Sequence, residues 1–173
     1  KSRVPFINFF DGFRTSHEIQ KVEAIDMEDL RPLVDWQAVQ EFRERALSPM
    51  RPEMRGMAEN PDVFFAHRES CNRYYDAVPD IVSDYMKEIS KITGREYRPF
   101  NYYGAPDAEN IIICMGSACE AIREVIDYEA AKGNKKLGMI NVHLYRPFSL
   151  KYLKEALPAS VKRICVLDRT KEP

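Results

Sequence analysis

Apolar positions in this 173-residue chain change their spacing part-way along it. The first run, Val4 to Phe10 (VPFINFF), is short and nearly continuous, the pattern of a buried strand, and Asp11-Gly12 ends it with a turn signal. RTSHE follows, with Thr15 or Ser16 as an N-cap and Glu18 near capping-box distance, which predicts a short helix. From Asp35 the spacing is helical, since Trp36, Val39, Phe42 and Ala46 fall on one face. SPMRPEMRGMAENPD then carries Pro49, Pro52, Gly56 and Pro61, a density of breakers that predicts an extended connector. The longest helical signal runs from Ser70 to Thr93: Tyr74, Val78, Ile81, Val82, Tyr85, Met86, Ile89 and Ile92 form one stripe. Pro79 interrupts it, which predicts a kink or two abutting helices with Pro79 in a first turn, and Gly94 is a natural stop. REYRPFNYYGAPDAE, rich in aromatics, reads as a packed linker.

After Asn110 the pattern alternates. IIICM is a buried-strand run, Ser117 to Lys132 fits a helix with Ala118, Ile122, Val125 and Ile126 inward, and Gly133-Asn134 closes it. KLGMINVHLY is a second strand, Leu150 to Leu157 a short helix and VKRICVLD a third strand. Strands alternating with helices predict an α/β fold: a partial open parallel sheet with flanking helices, preceded by a mainly helical and irregular connector.

Composition narrows the function classes. Hydrophobic residues make up 45% and charged residues 31%, ordinary for a globular protein, and 26 basic residues nearly cancel 27 acidic ones. A net charge of −1 gives no reason to expect nucleic acid or an anionic membrane as partner, and no apolar stretch approaches the roughly 18 residues that span a bilayer. Cys71, Cys114, Cys119 and Cys165 show no C-x-x-C spacing, so no zinc knuckle or cluster-ligating run is encoded, and four free thiols fit a reducing cytoplasm. Lys1 in place of an initiator methionine, and an end just past a strand pattern, read as a piece of something longer.

Four places carry candidate chemistry. MGSACE sets Gly116-Ser117 at a helix start, where free N–H groups and the helix dipole attract anions. It has a single glycine, however, and matches neither G-x-G-x-x-G nor G-x-x-x-x-G-K-S/T, so the plainer reading is a tight turn with Ser117 as N-cap. Cys119 lies in the first helical turn, where the dipole favours a thiolate, but no histidine is adjacent in sequence to serve as its base. In DGFRTSH, Arg14 with Thr15, Ser16 and backbone N–H groups could hold a carboxylate or phosphate, or equally cap a helix and pin a neighbouring domain. LYRPF follows a strand end, where α/β sheets gather ligands, and Arg146 there could reach an anionic group or an acidic residue across an interface, with Phe148 packing beneath. His67 and His143 stand alone and read as structural. Two readings in other classes remain open beside scaffold: a free-standing nucleotide- or phosphate-binding module using Gly116-Ser117, and an acyl-transfer enzyme using Cys119.

Taken together, PFINFFDGFRTSHEIQKVEAI, YYGAPDAENIIICMGSACEAIREVIDY, VHLYRPFS and ALPASVKRICVLDRTKEP resemble pyruvate:ferredoxin (flavodoxin) oxidoreductase, in the family's order and over essentially the whole chain. The resemblance implies an internal portion of a long enzyme: residues 1–107 as the end of its N-terminal thiamine-fold domain plus a connector, and 108–173 as the start of domain II, similar in fold to the transketolase C-terminal domain. It implies a parent that oxidatively decarboxylates pyruvate with CoA to acetyl-CoA and CO2. Thiamine diphosphate with magnesium supplies the carbanion chemistry, and 4Fe-4S clusters pass electrons to ferredoxin or flavodoxin. It further implies a homodimer, the remaining domains of the parent as partners, and a cytoplasmic location. This sequence lacks a G-D-G…N-N thiamine motif and a cluster-binding cysteine run, and the family's cofactor glutamate and pyruvate-binding residues correspond to positions before Lys1. No catalytic residue, bound cofactor or metal is therefore expected on this stretch, with Arg14, Gly116, Ser117 and Arg146 as the weak candidates for ligand contact. A scaffold role predicts exposed apolar surface at Phe6 to Phe13 and Tyr97 to Tyr103.

Overall fold

The computed structural model describes residues 1–10, 12, 16–54, 56, 58–134 and 136–168. Their second half is a four-stranded sheet built from β1 (Phe100–Gly104), β2 (Asn110–Cys114), β3 (Leu137–Val142) and β4 (Arg163–Val166), in the order β1-β3-β2-β4. β2 runs parallel to both β3 and β4, whereas β1 pairs antiparallel with β3, Phe100 opposite Val142 and Gly104 opposite Gly138. The three parallel strands are those expected from the sequence. β1 lies inside the stretch that reads as a packed linker; its alternating Phe100, Tyr102 and Tyr103 serve a strand's two faces.

Period-two alternation divides the core between those faces. On one face Phe100, Ile111, Ile140 and Val142 join Tyr102 and Ile113 beneath the last helix, contributed by Tyr152, Leu153 and Ala156. On the other, Cys114 and Met139 join Tyr103, Ile112 and Leu137 beneath Cys119, Ile122 and Ile126 of the crossover helix. Met139 and Ile140, adjacent in β3 and both fully buried, supply one side chain to each layer. The other sheet edge is open: every residue of β4 is exposed, Val166 at 68%.

Helices among the described residues include α1 (Met27–Leu30), α2 (Trp36–Glu44), α3 (Pro61–Ser70), α4 (Asn72–Thr93), α5 (Ala118–Ala131) and α6 (Leu150–Ala156), with a 3-10 turn at Arg31–Leu33. α2 starts where its N-cap Asp35 accepts a bond from the Ala38 N–H at 3.0 Å. α4 ends at Gly94, whose φ of +68° only glycine adopts readily. Pro79 sits well inside α4, and the break falls upstream at Cys71. That corrects the expectation of Pro79 in a first turn. Pro61 instead takes a first-turn place, in α3, where its missing N–H costs no bond, so the end of the expected connector is helical.

The N-terminal stretch departs most from its sequence pattern. Val4 to Phe10 forms no strand, and Ile7 (87%) and Phe10 (70%) lie open to solvent. Thr15 lies outside the described residues. Ser16 starts no helix after it: its N–H donates to the Gly12 carbonyl at 3.0 Å and its hydroxyl also donates to that oxygen. α4 is tied to the rest by the Tyr85 hydroxyl, which donates to the Leu33 carbonyl at 2.9 Å, and by Asp80, which accepts from Lys151 at 2.8 Å and Tyr152 at 2.6 Å on α6. A groove of about 440 Å3 runs along its apolar stripe between Ile81, Tyr85, Met86 and Ile89, with Phe6 and Tyr97 as walls.

Candidate functional site at the carboxyl edge of the sheet

Because β2, β3 and β4 are parallel, the loops that leave them share one edge. After β2 the chain turns at Gly116 (φ +73°) through Ser117 into α5, which packs on the Cys114 face. After β3 it runs through His143 to Phe148 into α6, which packs on the Ile140 face. Adjacent strands whose exits diverge to opposite faces leave a crevice between them, the place where open α/β sheets bind ligands. Gly116, Ser117 and Arg146 therefore stand on the two loops that border this switch point. Arg14 lies outside the described residues.

Local chemistry decides what the edge can do. Ser117 occupies the N-cap position of α5 in a helical conformation (φ −64°, ψ −22°) and makes no capping hydrogen bond, which corrects its assignment as a capping side chain. Glu120 brings a carboxylate into the same first turn, where it competes with any anion for the helix dipole. The Arg146 guanidinium lies 5.3 Å over the exposed Tyr145 ring, within cation–π range. His143 is committed to structure: its Nδ1–H donates to the Arg98 carbonyl at 2.9 Å, and its backbone N–H donates to the Pro99 carbonyl at 3.0 Å. Phe148 packs edge-on against buried Phe100, ring centroids 5.4 Å apart, as the sequence pattern predicts. The Arg146-Pro147 bond in this loop is cis.

Cys119 is not an activated nucleophile. It is 1% exposed, and burial together with the neighbouring Cys114 pushes its thiol up to about 12, so the dipole's pull toward a thiolate loses to desolvation. Burial likewise pushes the Cys114 thiol up. Among the described residues no three His, Cys, Asp or Glu side chains gather to hold a metal ion, and the buried, protonated cysteine pair is a poor donor set for a cluster. Magnesium and iron–sulfur ligation do not fit the residues described.

Two family models match. Residues 1–87 match pyruvate flavodoxin/ferredoxin oxidoreductase, thiamine diphosphate-binding, and residues 108–172 match pyruvate:ferredoxin oxidoreductase core domain II. The chain belongs to the pyruvate flavodoxin/ferredoxin oxidoreductase family. Across all of its length it is 60% identical to a pyruvate-flavodoxin oxidoreductase of Enterobacter agglomerans and 56% identical to a pyruvate:ferredoxin oxidoreductase of Moorella thermoacetica. It spans 15% of the length of each of these two members. Among solved structures, a 2-oxoglutarate:ferredoxin oxidoreductase from Magnetococcus marinus superimposes loosely on 63% of the chain, and 16% of its own, with a TM-score of 0.45 and 18% identity.

Within this pyruvate flavodoxin/ferredoxin oxidoreductase segment, sequence reasoning found the strand-end loops but missed the Cys114–Cys119 contact, whose sulfurs lie 3.4 Å apart. A signal was present. A cysteine on the covered face of a strand, a glycine turn, and a cysteine in the first turn of the covering helix must meet.

Proposed function

We propose that this chain is a structural and interface segment of a thiamine-diphosphate-dependent 2-oxoacid oxidoreductase. The parent oxidises pyruvate with CoA to acetyl-CoA and CO2 and passes the electrons through 4Fe-4S clusters to ferredoxin or flavodoxin. Residues 1–107 act as the end of its thiamine-fold domain plus connector and 108–173 as the start of domain II, with β1 drawn into the second unit's sheet. The observation that carries this reading is the distribution of exposed apolar side chains. Phe6, Ile7, Phe9, Phe10, Trp36 and Phe42 are all more than half exposed, large apolar side chains that neighbouring domains of the parent would cover. Identity of 60% and 56% to two family members, over all of this chain and 15% of each member, supports the choice of parent. The parent works as a homodimer in the cytoplasm, and no helix among the described residues is long and apolar enough to cross a membrane. Arg14, Gly116, Ser117 and Arg146 position loops or neighbouring domains, and the catalytic groups stand elsewhere in the parent.

Calorimetric titration of the isolated chain with CoA, magnesium thiamine diphosphate and NAD tests this. The scaffold reading expects no heat of binding from any of them. Micromolar binding of one would overturn it in favour of a phosphate-binding module at Gly116, Ser117 and Arg146.

A further inference from the structure

Cys114 and Cys119 take no part in the scaffold reading, yet the fold places them with care. Strand alternation turns Cys114 to the face that α5 covers, and the left-handed backbone at Gly116 folds α5 back over it. The two sulfurs end 3.4 Å apart in hydrogen-bonding contact, with side chains 2% and 1% exposed beside Met139 and Ile126. A disulfide needs an S–S separation of about 2.0 Å, so closure asks for an approach of roughly 1.4 Å by side-chain rotation. The other two thiols have no such arrangement. Cys71 donates to the Arg68 carbonyl at 2.8 Å, and Cys165 is exposed on β4.

We propose that Cys114 and Cys119 form a dithiol that closes to an intramolecular disulfide against a low-molecular-weight disulfide oxidant, cross-linking the end of β2 to the first turn of α5 across Gly116-Ser117. One cysteine sulfur, on losing its proton, attacks the oxidant and releases one small thiol. The second sulfur then displaces the other small thiol, and the protein S–S bond forms. The oxidant's S–S bond is broken, two electrons pass to it, and the two cysteine protons end on the two released thiols. Folding has already met the cost of bringing the sulfurs together, so the folded chain is the better reductant of the oxidant. Burial makes the exchange slow, because attack requires a thiolate that the core disfavours. The oxidised chain has its switch-point turn pinned and the reduced chain does not, which makes this edge of the sheet redox-sensitive.

The test equilibrates the full chain in a series of reduced-to-oxidised glutathione ratios, then quenches with acid, alkylates remaining thiols and digests with trypsin. Both cysteines fall in the peptide from Glu96 to Arg123. In the folded chain this peptide should appear two hydrogens lighter and unalkylated. Its midpoint should lie at a glutathione ratio at least about tenfold more reducing than for the same chain in guanidinium, equal to about 30 mV for a two-electron couple. Cys119→Ala should abolish the lighter species. Equal midpoints in the folded and unfolded chain, or mixed disulfides with glutathione as the only products, would overturn the proposal, and both readouts use the unsubstituted chain.

Discussion

Gly138→Ala is expected to destabilise the sheet, against the ordinary rule for glycine in a strand. Gly138 sits within β3, paired with Gly104 of β1 and Ile111 of β2. At such a place alanine usually recovers about 0.5–1 kcal/mol by restricting the unfolded chain. Here a Cβ would stand 2.9 Å from Cδ1 of Ile111 and 2.9 Å from Cε2 of Tyr102, with the tyrosine hydroxyl closer still. Neither neighbour yields easily. Ile111 is 1% exposed, and the Tyr102 hydroxyl is held by the Ala105 carbonyl, a bond lost if the ring swings away. Overpacking of this kind costs about 1–3 kcal/mol; with two rigid neighbours both inside 3 Å the cost lies in the upper part of that range, about 2–3 kcal/mol, and leaves a net loss of about 1–2 kcal/mol. For a domain of this size that corresponds to a fall in Tm of about 2–8 °C. Thermal unfolding followed by circular dichroism should show it. Ile111→Val, which removes the clashing Cδ1, should cost about 0.5–1.5 kcal/mol alone and distinctly less in the alanine background. A Gly138→Ala chain at or above the parent Tm would refute the packing assigned to Tyr102 over β3.

Three further outcomes follow from the same geometry. Ile140→Ala should cost about 2–5 kcal/mol because its side chain is fully buried, whereas Ile164→Ala, on the same sheet face by register but 49% exposed, should cost under about 1 kcal/mol; chemical denaturation of both variants compares them. The Lys151 ammonium and then the Tyr152 hydroxyl hold the Asp80 carboxyl below its usual 3.8, so its contribution is fully present above that value and lost as pH falls below it through the folded-state pKa. Asp80→Asn should therefore flatten the acid limb of the denaturation midpoint plotted against pH, by a small amount because the group is exposed. In thiol labelling of the native chain, Cys165 should react at once, while Cys114 and Cys119 should react far more slowly and become fast only when denaturant is added, as peptide mapping over time would record.

Much of the fold can be read from the chain where one force dominates. IIIC, LGMINV and RICV are strands buried or paired through period-two contacts, so local pattern and tertiary outcome agree there. The α5 stripe is only half as expected: Ile122 and Ile126 face the sheet together with Cys119, whereas Ala118 and Val125 (55%) are exposed, because the helix is rotated to set Cys119 over Cys114. β1 escapes notice because Pro99 and Gly104 bracket a run with turn signals at both ends, and only pairing with β3 reveals its register. α3 escapes because Asn60-Pro61 reads as a breaker when it is a helix start. VPFINFF fails in the opposite sense: its strand pattern is clear, but among the described residues no strand pairs with it. The aromatics at Tyr97 to Tyr103 fail likewise as an exposed patch, since Phe100 is 2% exposed and anchors Phe148. At the carboxyl edge, Gly116, Ser117 and Arg146 are legible as strand-end positions. What they lack is legible only in space: Ser117 makes no capping bond, Glu120 shares its turn, and Arg146 rests on Tyr145.

The interface reading is tested most directly by amide hydrogen exchange, measured on this chain alone and on the complete oxidoreductase that contains it. Residues 4–10 and 36–44 should exchange rapidly in the isolated chain and become strongly protected in the complete enzyme, while strands β2 and β3 should be protected in both. Equally rapid exchange of 4–10 and 36–44 in the complete enzyme would mean that nothing covers the apolar surface, and would contradict it.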